Sequence, residues 1–199
     1  MTGSHSPVAR AFVHTSLGVI LVLAVLILGK DPVAGLLAVA AAVLLVIEWL
    51  RFRSKVLNRW LMTRFVLFTR EEEGNQLTGA TYYVTGSALT IAFFPVEIAV
   101  TAMLFLAIGD PVATLVGKRW GRRYFWAKSL EGNLSCLVVC LAIGILSAGI
   151  QQDLLMVVAV TGAVFAFIFE TLPWPVNDNI TIPVGSAAAM LVLRAVLQI

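Results

Sequence analysis

The chain has 199 residues, 60% of them hydrophobic and only 13% charged, with a mean hydropathy of +0.95. That balance excludes an ordinary water-soluble domain and makes lipid the solvent of the fold. A net charge of +3 and a pI near 9.1 would suggest nucleic acid in a soluble protein, but here the cations fall between apolar runs, where they set membrane topology instead.

A helix needs about 20 mostly apolar residues to cross a bilayer. Seven segments approach that requirement, at 11–29, 32–50, 77–94, 95–108, 134–150, 154–169 and 182–197. The expectation is an all-α, polytopic transmembrane helical bundle of about seven spans, one membrane domain over residues 1–199. Arg10 precedes the first run, which carries no small-residue cleavage site and so reads as an uncleaved span.

Between the second and third runs, residues 51–68 mix Phe52, Val56, Leu57, Trp60 and Leu61 with a basic stripe at Arg51, Lys55 and Arg59. At 100° per residue the cations segregate from much of the apolar surface, which predicts an amphipathic helix lying in the inner interface, with Arg53 and Arg64 snorkelling. Arg70 followed by Glu71, Glu72 and Glu73 reads as a solvated helix end.

The fourth run stops at Gly109-Asp110-Pro111. Proline lacks an amide proton and disfavours helix at the residue before it, so a broken fourth helix is expected, and in a membrane the freed backbone must face protein or a watery cavity. Cys136 and Cys140, four apart in an apolar run, read as small buried hydrophobes on one helix face.

Lysines and arginines cluster at 51–70 and 118–128, so both of these loops are expected on the cytoplasmic side. Seven spans then place the N-terminus inside and the C-terminus outside, with only Lys30 and Arg194 of the 14 basic residues near the far surface. In this topology Glu48, Asp110, Glu131, Glu170, Asp178 and Asn179 all fall at the cytoplasmic ends of spans or in inner loops. Carboxylates at a membrane boundary are costly unless paired, solvated or metal-bound, and their gathering points to a site.

The richest stretch is 109–133, GDPVATLVGKRWGRRYFWAKSLEGN. Gly117 and Gly121 allow close backbone approach, Lys118, Arg122 and Lys128 are suited to phosphate oxygens, and Asp110 and Glu131 to a divalent cation, which together make the parts of a metal-nucleotide site. Plainer readings compete: the glycines at i,i+4 as a helix-packing pair, the cations as a topology anchor, and Ser129 as an N-cap with Lys128 and Glu131 salt-bridged on one helix face. Tyr82 and Thr81 open the third span, and His14 lies near the inner end of the first. Trp120, Trp126, Trp174, Tyr124 and Phe125 read as interfacial aromatics.

Arg10, His14 and Gly18, the segment REEEGNQLTGATYY at 70–83, the central GDPVATLVGKRWG, the following KSLEGN, and DNITIP at 178–183 together resemble the family of dolichol kinases, phytol kinases and CTP-dependent diacylglycerol kinases in its short prokaryotic form. The resemblance implies transfer of the γ-phosphoryl group of CTP, with Mg2+, to the hydroxyl of a membrane lipid alcohol: a polyprenol or dolichol, a phytol-like isoprenoid, or diacylglycerol. It implies a nucleotide segment at Asp110, Ala113, Gly117, Gly121, Lys128, Ser129, Glu131 and Gly132, to which the reading of the block itself adds Gly109, Lys118 and Arg122. Mg2+ would be held by Asp110 with help from Glu131 or Asp178, and Asp110, Lys128 and Glu131 would be catalytic. His14, Arg70, Glu73, Thr81, Tyr82, Glu170 and Asn179 are further candidates. The expected location is a prokaryotic cytoplasmic membrane with the active site on its inner side.

The same block resembles the centre of bacterial phosphatidate cytidylyltransferases, the main rival enzyme. Those close with a longer signature containing Lys-Asp and His-Gly-Gly, whereas this chain ends in VNDNITIP and has no histidine after His14. A non-catalytic lipid transporter is the alternative from another class, and charge concentrated at one face rather than along the midplane argues against it.

Overall fold

The computed structural model describes residues 7–64, 71–126, 128–173 and 175–198. The helices are α1 (Pro7–Leu28), α2 (Lys30–Arg53), α3 (Lys55–Arg64), α4 (Gly79–Phe93), α5 (Val96–Leu104), α6 (Asp110–Trp120), α7 (Leu130–Ile150), α8 (Met156–Thr171) and α9 (Asp178–Val196). A 3-10 turn, Glu71–Asn75, precedes α4, and a short antiparallel pair, β1 (Tyr124–Phe125) and β2 (Lys128–Ser129), precedes α7. The architecture is an all-α membrane bundle. Among the described residues five helices are long and apolar enough to cross a membrane, counting α5 and α6 as one rod, and α8 is a shorter apolar helix. With the 15 residues of α4 these account for each of the seven apolar runs.

The fourth helix is continuous rather than broken. Asp110 keeps α-helical angles, and a π-helical turn, Phe105–Gly109, joins α5 to α6. Pro111 has no amide proton to offer Ala107 four residues back, and the wider π turn takes up the mismatch without ending the helix. The resulting rod Val96–Trp120 is the centre of the bundle. In its most apolar stretch 67% of residues are buried, against 22–28% in the other long helices, which face lipid.

Small residues bring the helices close to this rod. A Cβ on Gly18 would lie 2.3 Å from that of Ala107, seating α1 on the π turn, and one on Gly109 would lie 2.7 Å from Cys140 Sγ on α7. Cys136 and Cys140 are free and buried, as their spacing predicts. In α9, Pro183 cannot donate to the carbonyl of Asn179, and α4 packs against that freed oxygen through Gly86, whose added Cβ would come within 2.1 Å of it.

Successive helices run in opposite senses, so Arg10, the C-terminal end of α2, the start of α4, α6, the β1–β2 pair, and the facing ends of α7, α8 and α9 gather at one end. The other end is fastened by polar contacts. Lys30 donates to the Phe94 carbonyl at 2.8 Å, Arg194 pairs with Glu97, and Gln151 donates to Thr101 Oγ1 at 3.2 Å.

Amphipathic α3 leaves Val56 and Trp60 exposed beside Lys55 and Arg59, the surface of an interfacial helix. Its inner side is polar: Asn58 donates to the Gly74 carbonyl at 2.8 Å and accepts from Arg51 at 2.9 Å.

A carboxylate and lysine site at the polar end

Several helix ends, the central rod and the β1–β2 pair line one cavity of about 560 Å³. Asp110 comes from the rod, Glu170 from the last turn of α8, Asp178 from the first turn of α9, and Lys128 from β2. Carboxylate oxygens of Asp110, Glu170 and Asp178 lie within 4.8 Å of one another. The ammonium of Lys128 sits among them, 2.7 Å from Asp178 Oδ2 and 3.0 Å from Glu170 Oε2, and also donates to the Glu170 carbonyl. Burial alone would pull the Lys128 pKa down, but Glu170 and Asp178 outweigh it and push it above the ordinary 10.5.

His14 closes the cluster from α1, its Nε2 3.8 Å from Asp110 Oδ2. Tyr83 of α4 packs edge-on against the imidazole, with ring centroids 4.6 Å apart, and its hydroxyl donates to the His14 carbonyl at 3.4 Å. Asn179 lines the cavity and donates through Nδ2 to the Gly79 carbonyl at 3.0 Å, while Glu73 Oε1 accepts from the Gly79 amide at 3.2 Å. These two contacts fix the start of α4 at the cavity wall.

Beside the cavity, Glu48 and Arg51 form a buried ion pair that organises the loop before α4. Glu48 Oε1 accepts from the Thr78 amide at 2.8 Å, the Thr78 hydroxyl at 2.7 Å and the Thr81 hydroxyl at 2.9 Å. Arg51 donates to the Glu73 carbonyl at 3.0 Å and to the Gln76 carbonyl. Thr81 therefore anchors Glu48 rather than facing the cavity. Arg51 is structural, although its place in a basic run suggested only a topology signal.

The central block divides. Asp110, Ala113, Gly117, Lys118, Lys128 and Ser129 line the cavity, whereas Gly109, Gly121, Arg122, Glu131 and Gly132 lie outside its wall. The glycines act mainly as packing surfaces. A Cβ on Gly132 would lie 2.5 Å from the Ala113 carbonyl oxygen, one on Gly117 2.6 Å from Ser129 Oγ, and one on Gly121 2.3 Å from the Gly117 carbonyl oxygen. Gly132 thus lets α7 touch α6, Gly117 lets β2 approach α6, and Gly121 fits the tight end of α6, while Ser129 caps α7 by accepting from the Gly132 amide at 3.1 Å.

Glu131 is the main correction to the sequence expectation. Its Oε2 accepts from the amides of Arg122 at 3.0 Å and Arg123 at 3.4 Å, so it braces the hairpin instead of joining Asp110. α7 begins only at Leu130, which puts Lys128 on a strand and removes the shared helix face with Glu131. Glu170 takes the place beside Asp110. Of the tyrosines, Tyr83 rather than Tyr82 faces the cavity, and buried Asn133 joins it there. Arg70 lies outside the described residues.

Three oxygen donors from separate helices form a set suited to a hard divalent cation. With one ammonium among three carboxylates, the cluster retains net negative charge when all are ionised, which also fits a cation that arrives with a polyphosphate.

The fold and site define a polytopic helical membrane protein with a carboxylate-lysine centre at one end. The chain is similar in sequence to named lipid kinases. It is 31% identical over 139 residues to CTP-dependent diacylglycerol kinase 1 of Schizosaccharomyces pombe, covering 62% of this chain and 64% of that protein. It is 30% identical over 134 residues to phytol kinase of Synechocystis, covering 61% of this chain and 57% of that protein. The chain thus spans less than two thirds of either kinase's length. An uncharacterized protein of Rickettsia prowazekii is 25% identical over 162 residues, covering 78% of this chain and 79% of the relative. No family model matches the chain, and no solved structure matches it.

Proposed function

We propose that this protein is a CTP-dependent kinase of a membrane lipid alcohol. The observation that carries the reading is the meeting of Asp110, Lys128, Glu170 and Asp178, drawn from four separate elements, around one cavity at the polar end of an apolar bundle. Two of the similar proteins, a CTP-dependent diacylglycerol kinase and a phytol kinase, support this donor and this class of acceptor. The acceptor is a polyprenol or dolichol, a phytol-like isoprenoid or diacylglycerol, each presenting one hydroxyl beside hydrocarbon.

Phosphoryl transfer needs positioning and charge neutralisation more than covalent help from the protein. A bond forms between the acceptor oxygen and the γ-phosphorus, the bond to the β–γ bridging oxygen breaks, and CDP leaves with that electron pair. The hydroxyl proton passes to a carboxylate of the cluster. Mg2+ held by Asp110, Glu170 and Asp178 would supply neutralisation of the triphosphate charge. Lys128, held charged by its two carboxylate neighbours, presents its ammonium to the transferring group, and Lys118 on the cavity wall meets the outer phosphates.

The positive-inside pattern supports a prokaryotic cytoplasmic membrane with this end facing the cytoplasm. The fastened opposite end speaks against a transporter, which would need a path through both faces. Purified protein incubated with CTP labelled at either the γ or the α position, with mixed lipid alcohols, tests the reading. Lipid carrying the γ label supports the kinase; lipid carrying the α label supports a cytidylyltransferase, and unlabelled lipid removes both.

A further inference from the structure

The cavity is polar at one level and apolar at another, and helix geometry orders the two by depth. Along α1 it is lined successively by Arg10, His14 and Leu17, and along α4 by Gly79, Tyr83 and Val84. At a rise of about 1.5 Å per residue, Leu17 lies about 4.5 Å further into the bundle than His14. On α6 the order runs outward, with Lys118 about 12 Å beyond Asp110. The charged rim and the apolar floor are thus on opposite sides of the His14–Asp110 contact.

The floor is also where two helices stand apart. α1 packs on α2, α5, α6 and the π turn, and α4 on α2, α5 and α9, whereas α1 and α4 have little backbone contact with one another and meet at this level through the Tyr83 side chain against His14 and Gly18. Deeper in the bundle Val22 and Val25 of α1 join Ala88 and Ile91 of α4 in one buried cluster, which closes the gap from below. Above that closure Leu17 lines the cavity and is 40% exposed, and it stands about 60° round α1 from Ile20, which is 60% exposed and outside the cavity wall. Leu17 thus marks the edge where the cavity adjoins the exposed apolar stripe of α1.

We infer that the gap between α1 and α4, floored by Leu17 and Val84 and headed by His14, Tyr83 and Asp110, is a lateral doorway for a lipid with an uncharged hydroxyl head. The hydrocarbon lies against Leu17 and Val84 in continuity with the bilayer. The hydroxyl reaches the level of Tyr83 and the His14–Asp110 contact without leaving the membrane boundary. With no cation bound, a carboxylate head at that level would face Asp110, Glu170 and Asp178 against the single ammonium of Lys128 and be repelled on balance, whereas a hydroxyl meets both donors and acceptors. The inference rests on the kinase reading for its purpose and on cavity shape and polarity for its place.

The test uses the full-length protein in nanodiscs and a long-chain primary alcohol carrying a diazirine within its first few carbons. Irradiation is expected to place adducts on α1 between residues 11 and 17 and on α4 between residues 80 and 84. Excess unlabelled alcohol should suppress them, and a fatty acid of equal length should not. Adducts confined to the outer surfaces of α7 and α8, or equal suppression by the fatty acid, would overturn the doorway. This readout needs no turnover, so it decides the doorway even if no phosphorylation is found.

Where phosphorylation is found, Leu17→Trp with Val84→Trp should raise KM for a long-chain acceptor about tenfold, as for interference with a hydrophobic pocket, and leave KM for CTP nearly unchanged. An unchanged acceptor KM would reject the doorway while leaving the kinase intact.

Discussion

Lys128 Nζ lies 2.7 Å from Asp178 Oδ2, joining the hairpin before α7 to the start of α9 across 50 residues of sequence. The contact holds the ammonium at the cavity wall and ties together the elements that deliver Glu170 and Asp178. Removing the ammonium should therefore reach both charge neutralisation and the alignment of the carboxylates.

Lys128→Ala is expected to lower kcat by about 100-fold or more, the scale of losing one preorganised electrostatic contact. Arg53→Ala, at the exposed last residue of α2, should stay within about threefold. Equal effects in a labelled-lipid assay would reduce Lys128 to a topology anchor. Because its pKa is raised, Lys128 stays protonated through neutral pH. Its contribution to stability is complete below the ordinary value of 10.5 and is lost only as pH rises through the higher folded value. A pH-rate profile should accordingly show no limb from this residue between about pH 6 and 9.

Asp110→Asn keeps the shape of the side chain and removes its charge. Turnover should fall at least about 100-fold, with thermal unfolding in detergent close to that of the parent protein. Near-normal turnover would refute the role of Asp110.

Glu131→Gln and Glu170→Gln separate the hairpin brace from the centre. The former should soften the 121–129 loop and cost activity less than about tenfold, whereas the latter should cost about 100-fold or more. The reverse order in steady-state kinetics would return Glu131 to the cation.

Arg51→Ala leaves Glu48 buried without its cation, beside the Thr78 amide and two hydroxyls. A cost of roughly 3–5 kcal/mol is expected from breaking a buried pair by removing one partner. Denaturant titration in mixed micelles measures it, and a cost under about 1 kcal/mol would place the pair among exposed ones.

Much of the fold was legible because apolar runs of span length leave little choice in lipid, and because the basic loops assign one face. Asp110, Lys128 and Asp178 could be singled out for the same reason, since ionisable groups at a membrane boundary are few. Their partners were harder to read. Glu131 was paired with Lys128 by helical spacing, but the helix starts two residues after Lys128, and the true neighbours come from α8 and α9. Tyr82 and Tyr83 differ by 100° around α4, a choice settled only by where α1 packs. The break at Pro111 followed from the missing amide proton, and no local rule says that a π turn will absorb it. Gly117 and Gly121 were correctly marked for close approach, but spacing cannot tell a phosphate from a neighbouring element.

The account turns on whether these side chains hold a cation-bound triphosphate, and Mn2+ binding followed by electron paramagnetic resonance during CTP titration tests that most directly. The parent protein should bind Mn2+ with CTP, and Asp110→Asn with Asp178→Asn should weaken that binding by about tenfold or more. Equal binding by the parent protein and the double variant would contradict the account.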